Sequence, residues 1–156
     1  MRHPPAFPLP SLPPTHTQFL SALSVVAERH DLCVRLFEST ATDEKGGAYG
    51  IRFFLDGDWT TVRIDDRFPI TAAPRRAHLA TASKVAYGRC VSETTGETML
   101  WASLLEKAYA KAHGSYKAIS GGEISEALLD LTGAPTISIA FDDPSFNRYG
   151  CEQDGC

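Results

Sequence analysis

Residues 101–116 read WASLLEKAYAKAHGSY, and this stretch decides the fold. Its apolar residues recur at helical spacing, which predicts a helix over residues 98–113. Gly114 follows the last periodic residue and is well placed to end the helix, since glycine adopts the left-handed conformation at a C′ position without strain. The residues predicted to form the buried face of this helix are Trp101, Leu104, Leu105, Ala108 and Ala112.

Two further helices are predicted on either side of this stretch. Residues 19–36 carry an apolar stripe that weakens near Arg29, and Thr17 is positioned to cap the start. Residues 124–131 form a shorter pattern, which Gly133 ends. The stripes consist of Phe19, Leu20, Leu23, Val26 and Ala27 in the first segment and of Ile124, Ala127, Leu128 and Leu131 in the second.

Between these helices the apolar period changes from helical spacing to two, which predicts a β-hairpin. Asp56-Gly57 separates the two alternating runs and suits a type I′ turn, in which both central residues have positive φ. Pro69 is expected to end the second strand, and residues 70–97 read as a long irregular connection. Helices and a hairpin together predict an α+β fold. The residues that share one face of each strand are Ile51, Phe53 and Leu55 in one run and Thr60, Val62 and Ile64 in the other.

The size and charge of the chain limit the classes of protein to which it can belong. Its 156 residues suffice for one domain, and a formal net charge of −4 argues against a nucleic-acid partner. No apolar run is long enough to span a membrane, and the start of the sequence lacks the apolar segment of a signal peptide. The four cysteines are scattered without zinc-ligand spacing, so reduced thiols and a cytoplasmic location are expected.

Three segments are predicted along the chain. Residues 1–17 form a proline-rich leader, expected to be extended or disordered because proline fixes φ and removes a backbone donor. Residues 18–144 form the folded domain, with a turn at Asp142-Asp143-Pro144. Residues 145–156 are expected to be an unstructured tail.

The run from Glu106 to Tyr116 closely resembles a signature of the calpains, a family of intracellular cysteine endopeptidases. Further similar motifs follow in the same order, including Ile64-Asp65-Asp66-Arg67 in the hairpin region and Asp130-Leu131-Thr132-Gly133 near the last helix. The resemblance implies the first lobe of a papain-like protease core, incomplete, with protein or peptide substrates. It also implies a second protease lobe as partner, with the active cleft between the two.

The resemblance also implies where the nucleophile belongs, and the chain departs from the family there. The family motif reads Gly-Asp-Cys-Trp-Phe-Leu, whereas Phe19-Leu20 is preceded here by Thr17-Gln18, so Thr17 occupies the nucleophile position. A hydroxyl is far less acidic than a thiol and needs a strong adjacent base to attack a carbonyl. The Gly-His-Ala-Tyr and Asn-Pro-Trp-Gly segments, which carry the family's histidine and asparagine, are absent from the printed sequence. No catalytic residue is therefore assigned.

Few other residues of the chain are suited to replace the missing nucleophile or general base. Cys33 falls at the far end of the first predicted helix, where the dipole disfavours a thiolate, and is expected to be a small core residue. Cys90 is placed in a loop beside Arg89 and remains an alternative reactive thiol. His113 closes a helix and is expected to complement its dipole. Asp65-Asp66 is expected to serve ion pairing and turn formation rather than metal binding or proton transfer.

The family resemblance implies calcium, and the sequence does not match its ligands. Met99 stands where an acidic ligand is expected, and Glu97 is displaced by two residues. A single carboxylate cannot supply the roughly six to eight oxygens that Ca²⁺ prefers. No metal or cofactor is therefore expected in this chain.

These observations predict a calpain-like cysteine endopeptidase lobe that is inactive alone. The alternative is a non-catalytic, calpain-like regulatory or protein-binding module, that is, a pseudoenzyme. A fragment or incomplete gene model, whose missing segments encode the rest of the core, is a third possibility. The abrupt loss of similarity near Thr17 and after Pro144 favours this third account over gradual decay of a site.

Overall fold

A computed structural model describes residues 10–11, 17–38, 47–71, 84–85, 88–91 and 98–140. Within these ranges the chain is α+β, as the sequence predicts. The helices are α1 (Thr17–Ala27), α2 (His30–Arg35), α3 (Trp101–Ala112) and α4 (Ile124–Thr132), with a 3₁₀ turn at Ala118–Ser120. The strands are β1 (Pro10–Ser11), β2 (Ala48–Leu55), β3 (Asp58–Asp65), β4 (Ile70–Thr71), β5 (Lys84–Val85), β6 (Arg89–Val91) and β7 (Thr98–Met99).

The first helical segment is two helices, not the single helix predicted over residues 19–36. Arg29 breaks it with an extended backbone, at φ −108° and ψ 90°. Its guanidinium pairs with Asp31, while its carbonyl accepts the backbone N–H groups of Leu32 and Cys33. The break redirects the chain so that Cys33 and Leu36 are fully buried. Thr17 is the first helical residue rather than the residue that precedes the helix.

The hairpin prediction is confirmed. Strands β2 and β3 pair antiparallel from Ala48↔Asp65 to Leu55↔Asp58. Asp56 and Gly57 have φ values of +52° and +86°, as a type I′ turn requires. Strand β3 ends at Asp65, four residues before Pro69, because the carboxylate of Asp65 accepts the backbone N–H of Arg67 and begins a turn there.

The connection over residues 70–97 contains short strands where irregular chain was predicted. Strand β4 pairs with β5, and β6 lies between β1 and β7 in a second antiparallel group. Thr98 and Met99 therefore belong to β7, and α3 begins at Trp101. The rest of this connection and the predicted turn at 142–144 lie outside the described residues. So do most of the 1–17 leader and the whole 145–156 tail, whose predicted states remain predictions.

Helix α3 is the centre of the described core. Most of its residues are buried, including Trp101, Leu104, Leu105 and Ala108, as predicted. The prediction was wrong for Ala112, which is exposed at the last turn, where the helix extends beyond its neighbours. It was also wrong for Ile124, whose side chain is 45 % exposed at the first position of α4. Gly114 and Gly133 end α3 and α4 with φ values of +93° and +69°.

Two lysines on the exposed stripe of α3 bind the backbone of the hairpin. Lys107 donates to the carbonyl oxygens of Asp65 and Arg67, and Lys111 donates to that of Arg63 at 2.7 Å. Lys107 also forms an ion pair with the Asp65 carboxylate. The two lysines therefore supply hydrogen-bond donors to three backbone carbonyl groups at and just after the end of β3.

Among the described helices, none has both the length and the apolar character that crossing a bilayer requires.

Substitution of the helix-ending glycines should separate backbone strain from crowding. Gly133→Ala adds a Cβ in a left-handed conformation and places it 3.1 Å from Cζ2 of Trp59, whereas Gly114→Ala adds one in open space. We expect Gly114→Ala to lower the free energy of unfolding by about 1 kcal/mol and Gly133→Ala by about 2 kcal/mol. Gly121→Ala, at an open site with extended backbone, is the control and should change little. Urea denaturation measures all three, and equal losses for Gly133→Ala and Gly121→Ala would contradict the analysis.

Candidate functional site

A pocket of about 200 Å³ lies beside the first turn of α1. The last turn of α3 forms one wall, and the segment from the 3₁₀ turn to the start of α4 forms the other. The positive end of the α1 dipole is therefore next to a concave surface, an arrangement that stabilises negative charge. The residues that line the pocket include Gln18, Phe19, Tyr109, His113, Gly122 and Glu126.

Stacked aromatic rings fix the start of α1 against α3. The rings of Phe19 and Tyr109 are stacked with centroids 4.2 Å apart, and Phe53 of the hairpin meets Tyr109 edge-on at 5.4 Å. All three residues are buried. Such ring pairs contribute beyond their buried area, so three elements hold the helix start at one orientation.

A buried carboxylate joins α4 to the end of α3 at this pocket. The Tyr109 hydroxyl donates to Oδ2 of Asp130 at 2.8 Å, and Nε2 of His113 lies 3.6 Å from the same oxygen. Burial raises the pKa of the Asp130 carboxyl, although Tyr109 and His113 both favour its charged form. Burial and the neighbouring Asp130 raise the pKa of Tyr109 far above its usual range. Tyr109 is therefore a hydrogen-bond donor here and not a base.

A second buried carboxylate fixes the chain segment beneath α1. Oε2 of Glu106 accepts the backbone N–H of Gly88 at 2.7 Å, and the Ser103 hydroxyl donates to the Gly88 carbonyl at 2.6 Å. A Cβ at position 88 would lie 2.9 Å from Cδ2 of Leu20, so only glycine fits between α1 and α3. We call Gly88, Ser103, Glu106 and Leu20 the Gly88 junction.

The two thiols of the described residues are unsuited to nucleophilic attack. Cys33 is fully buried, its sulfur lies 3.6 Å from the carbonyl oxygen of Val26, and burial raises the pKa of its thiol to about 11. It belongs to α2 and not to the first helix, but its expected role as a small core residue is confirmed. Cys90 lies in strand β6 and is fully buried, which corrects its placement in a loop. Burial also raises the pKa of this thiol, so neither cysteine is a ready nucleophile at neutral pH.

Of the remaining candidates in the described residues, His113 lines the pocket, whereas Asp65, Asp66 and His30 do not. The exposed Asp65 carboxylate pairs with Lys107, whose hydrogen bond lowers the pKa of that carboxyl, in keeping with the ion-pairing role expected for it. Asp66 donates its backbone N–H to Gly47, which closes the end of the hairpin. His113 caps α3 at the pocket, while His30 begins α2. The other histidines, His3, His16 and His78, lie outside the described residues.

The described residues do not fit a calcium ion. Met99, at the position where the family resemblance implies an acidic ligand, offers a thioether sulfur, whereas Ca²⁺ requires hard oxygen ligands. In the described part of the chain, no three His, Cys, Asp or Glu side chains come together to hold a metal. Glu97 lies outside the described residues.

Sequence reasoning missed the two buried carboxylates, Glu106 and Asp130. Each lies inside an otherwise apolar helix face, where a charged residue is conventionally assigned to solvent. A signal for Glu106 was available, because the residues one turn before and after it on the same face, Ala102 and Ala110, are apolar, whereas the lysines at 107 and 111 define a separate polar stripe. Nothing local in the sequence identifies Gly88 and Tyr109 as the hydrogen-bond donors that allow burial.

An α+β lobe in which the first helix directs its N-terminus at a pocket is the class of structure expected for half of a cysteine protease core. The family model described as "Calpain family cysteine protease" matches residues 16–149. The chain therefore belongs to the calpain family of cysteine proteases. The expectation from its sequence motifs is confirmed.

Individual relatives agree with this assignment. The maize "Calpain-type cysteine protease DEK1" is 37 % identical over 126 residues, which is 81 % of this chain and 5 % of that protein. Human "Calpain-14" is 34 % identical over 133 residues, covering 84 % of this chain and 18 % of the relative. Rat "Calpain-10" is 35 % identical over 121 residues, covering 74 % of this chain and 16 % of the relative. The chain thus spans less than a fifth of the length of each of these relatives.

The Glu106 carboxyl should make stability depend on pH. Burial raises the pKa of this carboxyl from 4.5 to about 7, so the folded state retains a proton that the unfolded state releases between these values. The protonated Glu106 carboxyl contributes fully to the free energy of unfolding below pH 4.5. This contribution falls by up to about 3 kcal/mol as pH rises to 7. We expect Glu106→Gln to flatten this decline in the free energy of unfolding, measured by urea denaturation at several pH values.

The matched control for this measurement is Glu123→Gln, at an exposed position before α4. Asp130, whose pKa is also raised, contributes in the same direction in all three proteins and cancels in the comparison. Parallel pH profiles for the original chain and Glu106→Gln would show that Glu106 does not titrate in this range.

Proposed function

We propose that this lobe serves a calpain-type protease that cleaves proteins, and that the chain does not catalyse cleavage alone. The observation that carries the proposal is Thr17, which is the first residue of α1 at the position where the family motif has its cysteine. Substrate cleavage requires a second lobe that carries the histidine and asparagine segments, since neither segment occurs in the printed sequence. The substrate class and the second lobe follow from family membership and are part of the proposal.

The chemistry at the helix start explains why residue type at position 17 decides activity. A thiol beside the helix N-terminus ionises more readily, because the dipole stabilises the thiolate. A threonine hydroxyl gains far too little from the same dipole to ionise near neutral pH, and it requires a general base within hydrogen-bond reach. His113 lies on the pocket wall but already faces Asp130, and its position at the end of α3 serves that contact.

The cytoplasm is the compartment that we propose for this chain. In the described part of the chain, Cys33 and Cys90 are buried thiols that form no disulfide. Reducing compartments keep such thiols unpaired.

A non-catalytic, protein-binding role is the second candidate function. The observation that favours it is a larger pocket, of about 520 Å³, on a different part of the surface. Both functions are compatible in one chain, because the two pockets share no lining residue.

The purified chain should not hydrolyse casein or fluorogenic peptides, with or without Ca²⁺. Loss of a single triad member lowers kcat by roughly 10⁴–10⁶-fold, and none of the three is assigned here. Release of fluorophore over time measures the activity, with an active calpain as positive control. Calcium-dependent cleavage that a thiol-directed inhibitor blocks would refute the proposal.

Replacement of the residue at position 17 should reveal a helix start that still favours a thiolate. We expect the thiol of Thr17→Cys/Gln18→Trp to react with iodoacetamide about threefold faster at neutral pH than that of Ala112→Cys. Ala112 is a matched control because it is exposed at the opposite end of a helix, where the dipole disfavours the anion. Alkylation of each site is followed by peptide mass spectrometry, with the buried Cys33 as internal reference.

Turnover should still be absent in this variant, because the general base and the oxyanion hole are not supplied. Addition of a second calpain lobe, in cis or in trans, is expected to be necessary for cleavage. An introduced thiol no more reactive than Cys33 would show that position 17 is not the nucleophile position.

A further inference from the structure

The pocket of about 520 Å³ lies among the end of α2, the outer side of the hairpin and the end of α4. Its volume is within the range of about 300–1,000 Å³ typical of ligand sites. The segment after α2 is hydrogen-bonded to the hairpin. The backbone N–H of Arg52 donates to the Leu36 carbonyl at 2.8 Å, and Phe37 forms a β-bridge with Ile51. The lining residues used below are Leu32, Arg35, Phe37, Arg52, Trp59 and Leu131.

Two guanidinium groups give this pocket a charge opposite to that of the whole chain. Arg35 and Arg52 line it with a single carboxylate, Glu38, although the chain has a formal net charge of −4. Within the described ranges, neither arginine has a carboxylate at salt-bridge distance. Asp31, the acidic residue nearest in sequence to Arg35, is already paired with Arg29. Among the described residues, both guanidinium groups are therefore available to an anionic partner, although Arg35 also interacts electrostatically with Asp31.

Aromatic and aliphatic side chains supply the other half of the surface. Trp59 is 38 % exposed, and its ring lies 5.3 Å from the guanidinium carbon of Arg52. Phe54 packs edge-on against the same ring at 5.7 Å, and Gly133 approaches it closely from α4. The tryptophan is thus oriented before any ligand binds. Arginine and tryptophan are also the residue types most enriched where binding energy concentrates.

We propose that this pocket binds an acidic peptide segment of a partner protein that carries a large apolar side chain. Carboxylates of the peptide would pair with Arg35 and Arg52, whose planar forks match carboxylate geometry. The apolar side chain would pack between Trp59 and the floor formed by Leu131. The apolar half of the pocket favours the peptide over a polyanion such as nucleic acid, because Trp59 and Leu131 would bury an apolar side chain, which a run of phosphates does not offer.

This binding site is separate from the start of α1, so it does not depend on catalysis. The test uses the full chain and a fluorescein-labelled peptide, acetyl-Glu-Glu-Phe-Glu-Asp-amide, followed by fluorescence anisotropy. We expect saturable binding that weakens with added salt, since the cationic groups are exposed. Replacement of the peptide's Phe by Ala, or of its acidic residues by Lys, should each weaken binding at least tenfold.

Variants of the pocket provide the decisive comparison. Arg35→Gln/Arg52→Gln should weaken peptide binding at least tenfold, and Trp59→Leu should weaken it severalfold. The control Arg63→Gln/Lys117→Gln changes net charge equally at exposed positions outside the pocket and should change affinity no more than about twofold. Circular dichroism and urea denaturation confirm that each variant is folded.

Four outcomes would overturn the proposal. They are the absence of saturable binding, equal binding of the lysine peptide, equal losses in the pocket and control double variants, and tighter binding of a single-stranded oligonucleotide through the same two arginines. Activity of a reconstituted protease is not a readout here. Failure of this proposal therefore leaves the proposed protease function untouched and counts only against the second candidate, the protein-binding role, which rests on the same pocket.

Discussion

The Gly88 junction is the constraint on which the arrangement of α1 and α3 depends. Helix α3 binds both backbone polar groups of Gly88: Glu106 accepts its N–H at 2.7 Å, and Ser103 donates to its carbonyl oxygen at 2.6 Å. The α-carbon of Gly88 faces Leu20 of α1. Burial of the Glu106 carboxyl opposes folding when the group is charged. Its second oxygen, Oε1, has no hydrogen-bond partner among the described residues, which adds to that cost. Apolar packing around Leu20 and Leu105, both fully buried, compensates for it.

A chain of contacts leads from this junction to the pocket at the helix start. Phe19, adjacent to Leu20, stacks on Tyr109, and Tyr109 in turn contacts His113 at a ring separation of 4.3 Å. Tyr109 also donates to Asp130, so α4 is tied to the same point. The orientation of α1 at its first turn is therefore determined by residues of α3 and α4.

Sequence patterns predicted the elements whose signals are local. The hairpin followed from alternation and from Asp56-Gly57, and the ends of α3 and α4 followed from Gly114 and Gly133, because positive φ is a property of single residues. The sequence indicated a weakening of the helix near Arg29, and the structure has a break there that local contacts of Arg29 accompany. The strand at Cys90 was not predicted, since it depends on partners distant in sequence. The burial of Glu106 was not predicted for the same reason, since it is possible only because Gly88, 18 residues earlier, offers a backbone donor. At the helix start, the assignment of Thr17 to the nucleophile position comes from family resemblance and not from periodicity, and it stays a prediction.

The packing that positions the helix start begins two residues after the nucleophile position. Phe19 and Leu20 are 2 % and 0 % exposed and carry the contacts with Tyr109 and the Gly88 junction. Since α1 is anchored from residue 19 onward, packing at Phe19 and Leu20 orients its N-terminus. The dipole is a property of the helix backbone and does not depend on the residue type at position 17. Under the proposed assignment of Thr17 to the nucleophile position, the lobe lacks the nucleophile while the helix start that would favour a thiolate persists.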